Sequence, residues 1–320
     1  MTETSPGEAS GPDRTAPADS GTRDDTDRPR TGGPDIGGDG GDLAAAMAAL
    51  APQLADTRWR HVEVVESTGS TNADLIARAA ESDIEGTVRI TTDQTAGRGR
   101  HQRVWAAPAG GQLAMSVAFA VRAGSSGTRA AAEPSAPEGR PHTDELGWLS
   151  LLTGLSAAAA IEECTGVRPV LKWPNDVLVD DRKVAGILAE YAGSVDGGVA
   201  VVGIGINTDM TADELPVDTA TSLRLATGAP VDTAALATAY LRALSEWRWP
   251  LDGAAAVEAY RHRSDTLGRR VRLTLPGGTE VVGTAVDIDP DGRIVVESDG
   301  GERTVAAAGD VVHLRPVDGG

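Results

Sequence analysis

Cysteine, lysine, asparagine and phenylalanine are nearly absent from this chain, and each shortage excludes something. One cysteine, Cys164, in 320 residues allows no internal disulfide and no cysteine-built metal site, which favours a reducing cytoplasm over an oxidising compartment. The longest apolar runs are short and rich in alanine, so no membrane span is expected. The chain opens acidic and polar, where a secretory signal needs a basic region and an apolar core. Positive charge is short as well: the net charge is −18, and the first 42 residues carry ten acids against four arginines. A chain without a basic stripe is a poor candidate for nucleic-acid binding, because neutralising phosphates needs clustered lysine and arginine.

The scarcity itself is informative. Of 29 lysines and arginines only Lys172 and Lys183 are lysines, the only asparagines are Asn72, Asn175 and Asn207, and Phe119 is the sole phenylalanine. A GC-rich genome disfavours the A/T-rich codons of all three residue types. Lysine and asparagine then persist where a compact ammonium, or an amide that donates and accepts at once, has no substitute. All five fall in the segments 70–72, 94–105, 172–190 and 203–207, which total 39 residues.

Residues 1–42 are dominated by Gly, Pro, Ser, Thr, Asp and Arg and cannot bury enough surface to offset ordering entropy, so a disordered acidic tail is expected there. The patterns predict a helix from Asp42, a strand over 61–66, a helix over 70–81 opened by Ser70 or Thr71, and a strand over 87–92. A loop, 93–105, leads to a strand over 112–120. The low-complexity stretch 123–143 reads as a surface insertion. A helix over 145–164, the strand ends around Lys172, a hairpin through Asp180 and Asp181, a strand over 199–207 and helices over 232–249 and 254–263 follow. Short strands separated by Gly- and Asp-rich turns then form a small all-β domain, with a boundary near Gly268.

Gly97, Arg98, Gly99 and Arg100 form a GRGR run in the loop, where glycines let backbone amides approach an anion and guanidiniums fork onto phosphate. The run lacks the Gly-Lys-Ser/Thr of a Walker A loop, and GIGIN at 203–207 lacks the third glycine of a dinucleotide fingerprint. The block KWPNDVLVDDRKVAGIL, from Lys172 to Leu188, places an ammonium, an aromatic, an amide and a carboxylate at a strand end, followed by a returning hairpin. Together with STN at 70–72, QTAGRGR at 94–100 and GIGIN, in this order and spacing, it resembles the catalytic core of biotin-protein ligases over about residues 60–316.

The resemblance implies an α+β fold: a mixed-sheet catalytic domain akin to class II aminoacyl-tRNA synthetases and biotin-lipoate ligases over 43–267, then a small C-terminal SH3-like β-barrel domain over 268–316. It implies activation of biotin by ATP to biotinyl-5′-AMP, with Mg²⁺, and transfer to a lysine of a biotin carboxyl carrier protein domain of an acyl-CoA carboxylase. Lys172, Arg98 and Arg100 would be catalytic, with Lys172 bridging the biotin carboxylate and the α-phosphate. Ser70, Thr71, Asn72, Gln94, Gly97, Arg98, Lys172, Gly186, Gly203 and Gly205 would bind biotin. Arg98, Arg100, Arg103, Trp105, Asn175 and Asn207 would bind ATP or the adenylate, Trp105 and Trp173 would wall the apolar parts, and Asp176 would help position Mg²⁺. Two departures stand out: the insertion at 123–143, and residues before 43 that are too polar for the DNA-binding module by which some relatives act as repressors. Two alternatives stay open, a lipoate or octanoate ligase or transferase and a non-enzymatic adenylate-sensing module. The transferase needs a cysteine nucleophile, and Cys164, in IEECTG at a helix end without an adjacent base, reads as structural.

Overall fold

Strand alternation sets the two faces of the molecule. In β6 (Gln112–Arg122) the odd positions Leu113, Met115, Val117, Phe119 and Val121 join the main core, while the even ones are Gln112, Ala114, Ser116 and Ala118. Successive side chains point to opposite faces, so one face of this strand takes a helical layer and the other is small and polar. In β10 (Gly197–Asn207), Ala200, Val202, Ile204 and Ile206 join the same core, leaving Val201, Gly203, Gly205 and Asn207 on the other face. These two strands pair antiparallel from Gly197↔Arg122 to Asn207↔Gln112.

The computed structural model describes residues 35–37, 41–79, 82–122, 140–194 and 197–314, all within one unit, Gly32–Gly320. Before the central strands come β1 (Asp35–Gly37), α1 (Gly41–Leu50), β2 (His61–Val64), α2 (Thr71–Ala79), β3 (Thr87–Thr91) and a two-stranded hairpin, β4 (Gly97–Arg98) with β5 (Val104–Trp105). After β6 come α3 (Leu146–Thr165), β7 (Val170–Lys172), β8 (Asp176–Val179), β9 (Arg182–Ser194), β10, α4 (Leu223–Thr227), α5 (Thr233–Ser245) and α6 (Gly253–Arg263). The eight-stranded sheet has the order β1-β2-β3-β6-β10-β9-β8-β7, with β1, β2 and β3 parallel and the remaining pairs antiparallel. The mixed sheet expected from the sequence is thus present. Helix α3 is apolar all round and sits deep in the core, with Trp148, Leu152 and Ile161 nearly inaccessible. It stops at Gly166, which takes the left-handed conformation at φ 72°.

Strands β11 (Arg270–Thr274), β12 (Glu280–Ile288), β13 (Ile294–Glu297), β14 (Arg303–Ala306) and β15 (Asp310–His313) make the second sheet, ordered β14-β13-β12-β11-β15. Its core residues, among them Val271, Leu273, Ile288 and Val296, belong to the same apolar cluster as α3. Indole N–H groups fasten the two parts: Trp148 Nε1 donates to Pro290 O at 2.9 Å and Trp173 Nε1 to Gly292 O at 3.4 Å.

One boundary moves. Residues 1–34 and 38–40 of the expected tail, and 123–139 of the expected insertion, lie outside the described residues. Asp35–Gly37, however, adds a parallel edge strand to β2, and α1 begins at Gly41 and buries Met47. Composition misjudges the end of the tail because edge pairing uses backbone N–H and C=O groups, which Asp-Ile-Gly supplies as well as any apolar tripeptide. Removing residues 1–34 is therefore expected to leave the thermal midpoint unchanged. Removing 1–42 exposes the β2 edge and, for about 1 kcal/mol lost, lowers the midpoint by about 2 to 4 °C; calorimetry of the two truncations checks this.

Candidate active site

Glycines on β9 and β10 make room for the site. A Cβ on Gly205 would lie 2.5 Å from Trp105 Cε2, and one on Gly203 would lie 2.2 Å from Asn72 Oδ1. Side chains at either position would push Trp105 or Asn72 off the sheet. Gly186 is as constrained, since its Cβ would meet Lys183 Nζ at 2.8 Å and Trp105 at 3.0 Å. Trp105 thus lies against both strands, held by its Nε1–H to Gln112 Oε1 at 2.8 Å, with Lys183 Nζ 5.6 Å from its ring centre.

Beside it opens a cavity of about 410 Å³. Ser70, Thr71, Asn72, Gln94, Arg98, Arg100, Arg103, Trp105, Lys172, Asn175, Asp176, Gly186, Gly203, Gly205 and Asn207 all border it, brought from α2, the β4–β5 hairpin, the β7–β8 turn and the glycine face of the sheet. Gly97 does not border it. Its missing Cβ would meet Gln94 Nε2 and Trp105 O at 2.6 Å each, so it serves the packing of the hairpin, a correction to its expected ligand contact. Trp173 also lines the cavity, although its indole is 2% exposed and is bonded to Gly292.

The cations divide into two classes. Among the described residues, Lys172 at the end of β7 and Arg98 on β4 have no acid partner. Arg103 reaches Asp310 Oδ2 at 2.9 Å, while Arg100 and His101 reach Asp310 Oδ1 at 3.3 and 3.4 Å. Arg100 also donates to Gly309 O at 3.0 Å and to Asn175 Oδ1 at 3.3 Å. The hairpin, expected from the sequence to be a loop, is therefore tied to the second sheet at its tip. Burial, reinforced by the Lys172 ammonium, holds the His313 imidazole below its usual range.

Asp176, expected to help position Mg²⁺, holds Lys183 Nζ at 2.5 Å. A carboxylate already neutralised by an ammonium is a poor ligand for a hard dication, and no group of three His, Cys, Asp or Glu able to hold a metal occurs among the described residues. The residues present do not fit a resident Mg²⁺. Asn175 and Asn207 use their amide N–H groups within the protein, on Ile187 O at 3.0 Å and Thr221 O at 2.8 Å. Cys164 is not on the cavity wall; partial burial and the nearby Glu163 and Asp232 push its thiol pKa up, away from the nucleophilic thiolate.

At the far end, Thr71 N–H donates to Gln94 Oε1 at 3.0 Å, and Asn72 Nδ2 donates to Glu190 Oε2 at 2.8 Å and Leu188 O at 3.1 Å. Ser116, Glu190, Gln112 and Asp310 escape a reading by motif. Gln112 and Ser116 carry a usable signal, as polar side chains two turns of the strand alternation apart in an otherwise apolar segment. Asp310 carries none, being an acid in a turn-rich region 207 residues from Arg103.

The sequence profile of the biotin/lipoate A/B protein ligase family matches residues 63–207, and that of the biotin protein ligase C-terminal domain matches 266–314. The chain is 44% identical over 269 residues to the biotin–[acetyl-CoA-carboxylase] ligase of Mycobacterium tuberculosis, covering 82% of this chain and 92% of that one. It is 33% identical over 249 residues to the biotin–[acetyl-CoA-carboxylase] ligase of Paracoccus denitrificans, covering 75% and 96%. Among solved structures, the biotin protein ligase of Aquifex aeolicus in complex with biotin and ATP superposes with a TM-score of 0.60 at 27% identity, covering 79% of this chain and 98% of that one.

Proposed function

The chain belongs to the family of biotin-protein ligases, and from that premise we propose that it condenses biotin with ATP to biotinyl-5′-AMP and passes the biotinyl group to a lysine of a biotin carboxyl carrier protein domain of an acyl-CoA carboxylase. A carboxylate oxygen of biotin attacks the α-phosphorus, the bond to the β-phosphate breaks and pyrophosphate leaves. The carrier amine then attacks the acyl carbon, a proton is lost and AMP departs.

The observation that carries this reading is the Lys172 ammonium, without an acid partner among the described residues and half-buried on the cavity wall it shares with Arg98. Both half-reactions develop negative charge between the acyl and phosphoryl groups, and a fixed cation there stabilises the transition state without reorganisation. Thr71, Gln94 and the Asn72 end offer small polar groups suited to a ureido ring, and Trp105 an aromatic surface for the adenylate. Arg100 and Arg103 reach phosphate once they exchange Asp310 for it. Mg²⁺ enters with the triphosphate, and no step here depends on it. In this reading residues 43–267 form the catalytic domain and 268–316 the C-terminal domain. No helix among the described residues is long and apolar enough to cross a membrane, and the lone cysteine suits the cytoplasm.

Isotope exchange between pyrophosphate and ATP tests the reading. Exchange is expected with biotin and not with lipoate. Exchange with lipoate alone would move the chain to the lipoate branch, and none with either acid would leave only a binding module. The raised thiol pKa of Cys164 and its place outside the cavity lining argue against a thioester route.

A further inference from the structure

Resting on the assignment of this site to biotin, we propose that Ser116, a fully buried hydroxyl on β6, is a positioning residue that makes Thr71 present an acceptor, not a donor, to one ureido N–H. Ser116 Oγ lies 2.6 Å from Asn72 Oδ1 and 2.7 Å from Thr71 Oγ1, and its side chain is 0% exposed. It carries one proton for two neighbours.

The orientation of Asn72 decides where that proton goes. Its Nδ2 faces Glu190 Oε2 at 2.8 Å and Leu188 O at 3.1 Å, a carboxylate and a carbonyl. Neither can donate, so the amide nitrogen must point at them and Oδ1 must point at Ser116. An amide oxygen can only accept. With Asn72 5% exposed and Ser116 the donor the structure places at Oδ1, leaving that oxygen unmet would carry the cost of a buried orphan acceptor. The Ser116 proton therefore goes to Asn72.

Thr71 must then turn its own proton inward. Its Oγ1 lies 2.7 Å from Ser116 Oγ, a contact that needs one proton between the two oxygens, and with the Ser116 proton given to Asn72 that proton must come from Thr71, which leaves a Thr71 lone pair for the cavity. Gln94 is fixed in the opposite sense, because the backbone N–H of Thr71 donates to its Oε1 at 3.0 Å, which leaves Nε2 as the donor. The wall thus shows a donor, Gln94, beside an acceptor, Thr71. A urea has the complementary order, a carbonyl next to an N–H. Gly203 keeps the network closed, since its missing Cβ would lie 2.2 Å from Asn72 Oδ1 and 3.2 Å from Ser116 Oγ.

The test is pyrophosphate exchange by the full chain and by Ser116→Ala and Ser116→Cys, with biotin and with the two cyclic carbamate analogues in which one ureido N–H is replaced by oxygen. In Ser116→Ala, KM for biotin is expected to rise about tenfold with kcat nearly unchanged, because the reacting carboxylate is remote. The wild-type preference for biotin over the less favoured carbamate should shrink toward unity, a change that a merely structural role would not produce. Ser116→Cys, with a weaker donor of similar size, should fall between, and it decides the matter if the alanine variant does not fold. A wild-type preference retained in the folded variants, or a loss confined to kcat, would overturn the proposal. Absence of biotin-dependent exchange in the wild type would instead remove the functional reading beneath it.

Discussion

Lys172→Arg is expected to lose about 10² to 10³ in the rate of biotinyl-adenylate formation, although charge is kept. The residue is half-buried at the end of β7, lines the cavity and has no acid partner among the described residues, so no carboxylate offsets its charge there. A guanidinium is longer and planar and delocalises its charge over three nitrogens, and it cannot place a compact donor between an acyl oxygen and a phosphoryl oxygen. The fall should appear in both half-reactions, measured by single-turnover adenylate formation and by transfer from purified adenylate to carrier. Lys183→Arg is the internal control. Lys183 holds Asp176 at 2.5 Å, a pairing that a forked guanidinium maintains, so its loss should stay under about tenfold. Near wild-type turnover for Lys172→Arg would remove the central assignment.

Trp148→Ala is expected to cost about 3 to 5 kcal/mol of stability. The indole is 1% exposed, donates to Pro290 O at 2.9 Å, and lies 3.3 Å from where a Cβ on Gly292 would sit. It joins α3 to the turn between β12 and β13. Truncation leaves a cavity between α3 and the β12–β13 turn and an unpartnered carbonyl at Pro290. Because β15 of the same sheet carries Asp310, the loss should also loosen the β4–β5 hairpin, which hydrogen exchange at Arg100 to Arg103 would register. A thermal midpoint within 2 °C of wild type, by calorimetry, would show that the second sheet does not lean on Trp148.

Much of this was legible beforehand. Period-2 alternation in QLAMSVAFA and VAVVGIGIN located β6 and β10 to within two residues at each end, because burial of one face in the main core imposes that period directly. The scarce lysines and asparagines led to the cavity wall, where all five are found. What they do there was less legible. Asn175 and Asn207 hold backbone carbonyls beside the cavity, and an asparagine required for such a tie looks, in sequence, the same as one required for a ligand. Gly97 was expected at the ligand and instead packs under Trp105, since a glycine that admits a ligand and one that admits a side chain leave the same mark.

The sequence by itself determined the order of the strands and helices apart from β1, the β4–β5 hairpin and α4, together with the glycine positions on β9 and β10 and the set of cations that meet at the site, for these follow from periodicity and from residues that have no substitute. Only the tertiary structure decided which cations are free. Asp310 takes Arg100 and Arg103, Asp176 takes Lys183, and Lys172 and Arg98 are left facing the cavity. The reason is that Coulombic pairing depends on separation through space, and Arg103 and Asp310 are 207 positions apart in the chain but 2.9 Å apart in the fold.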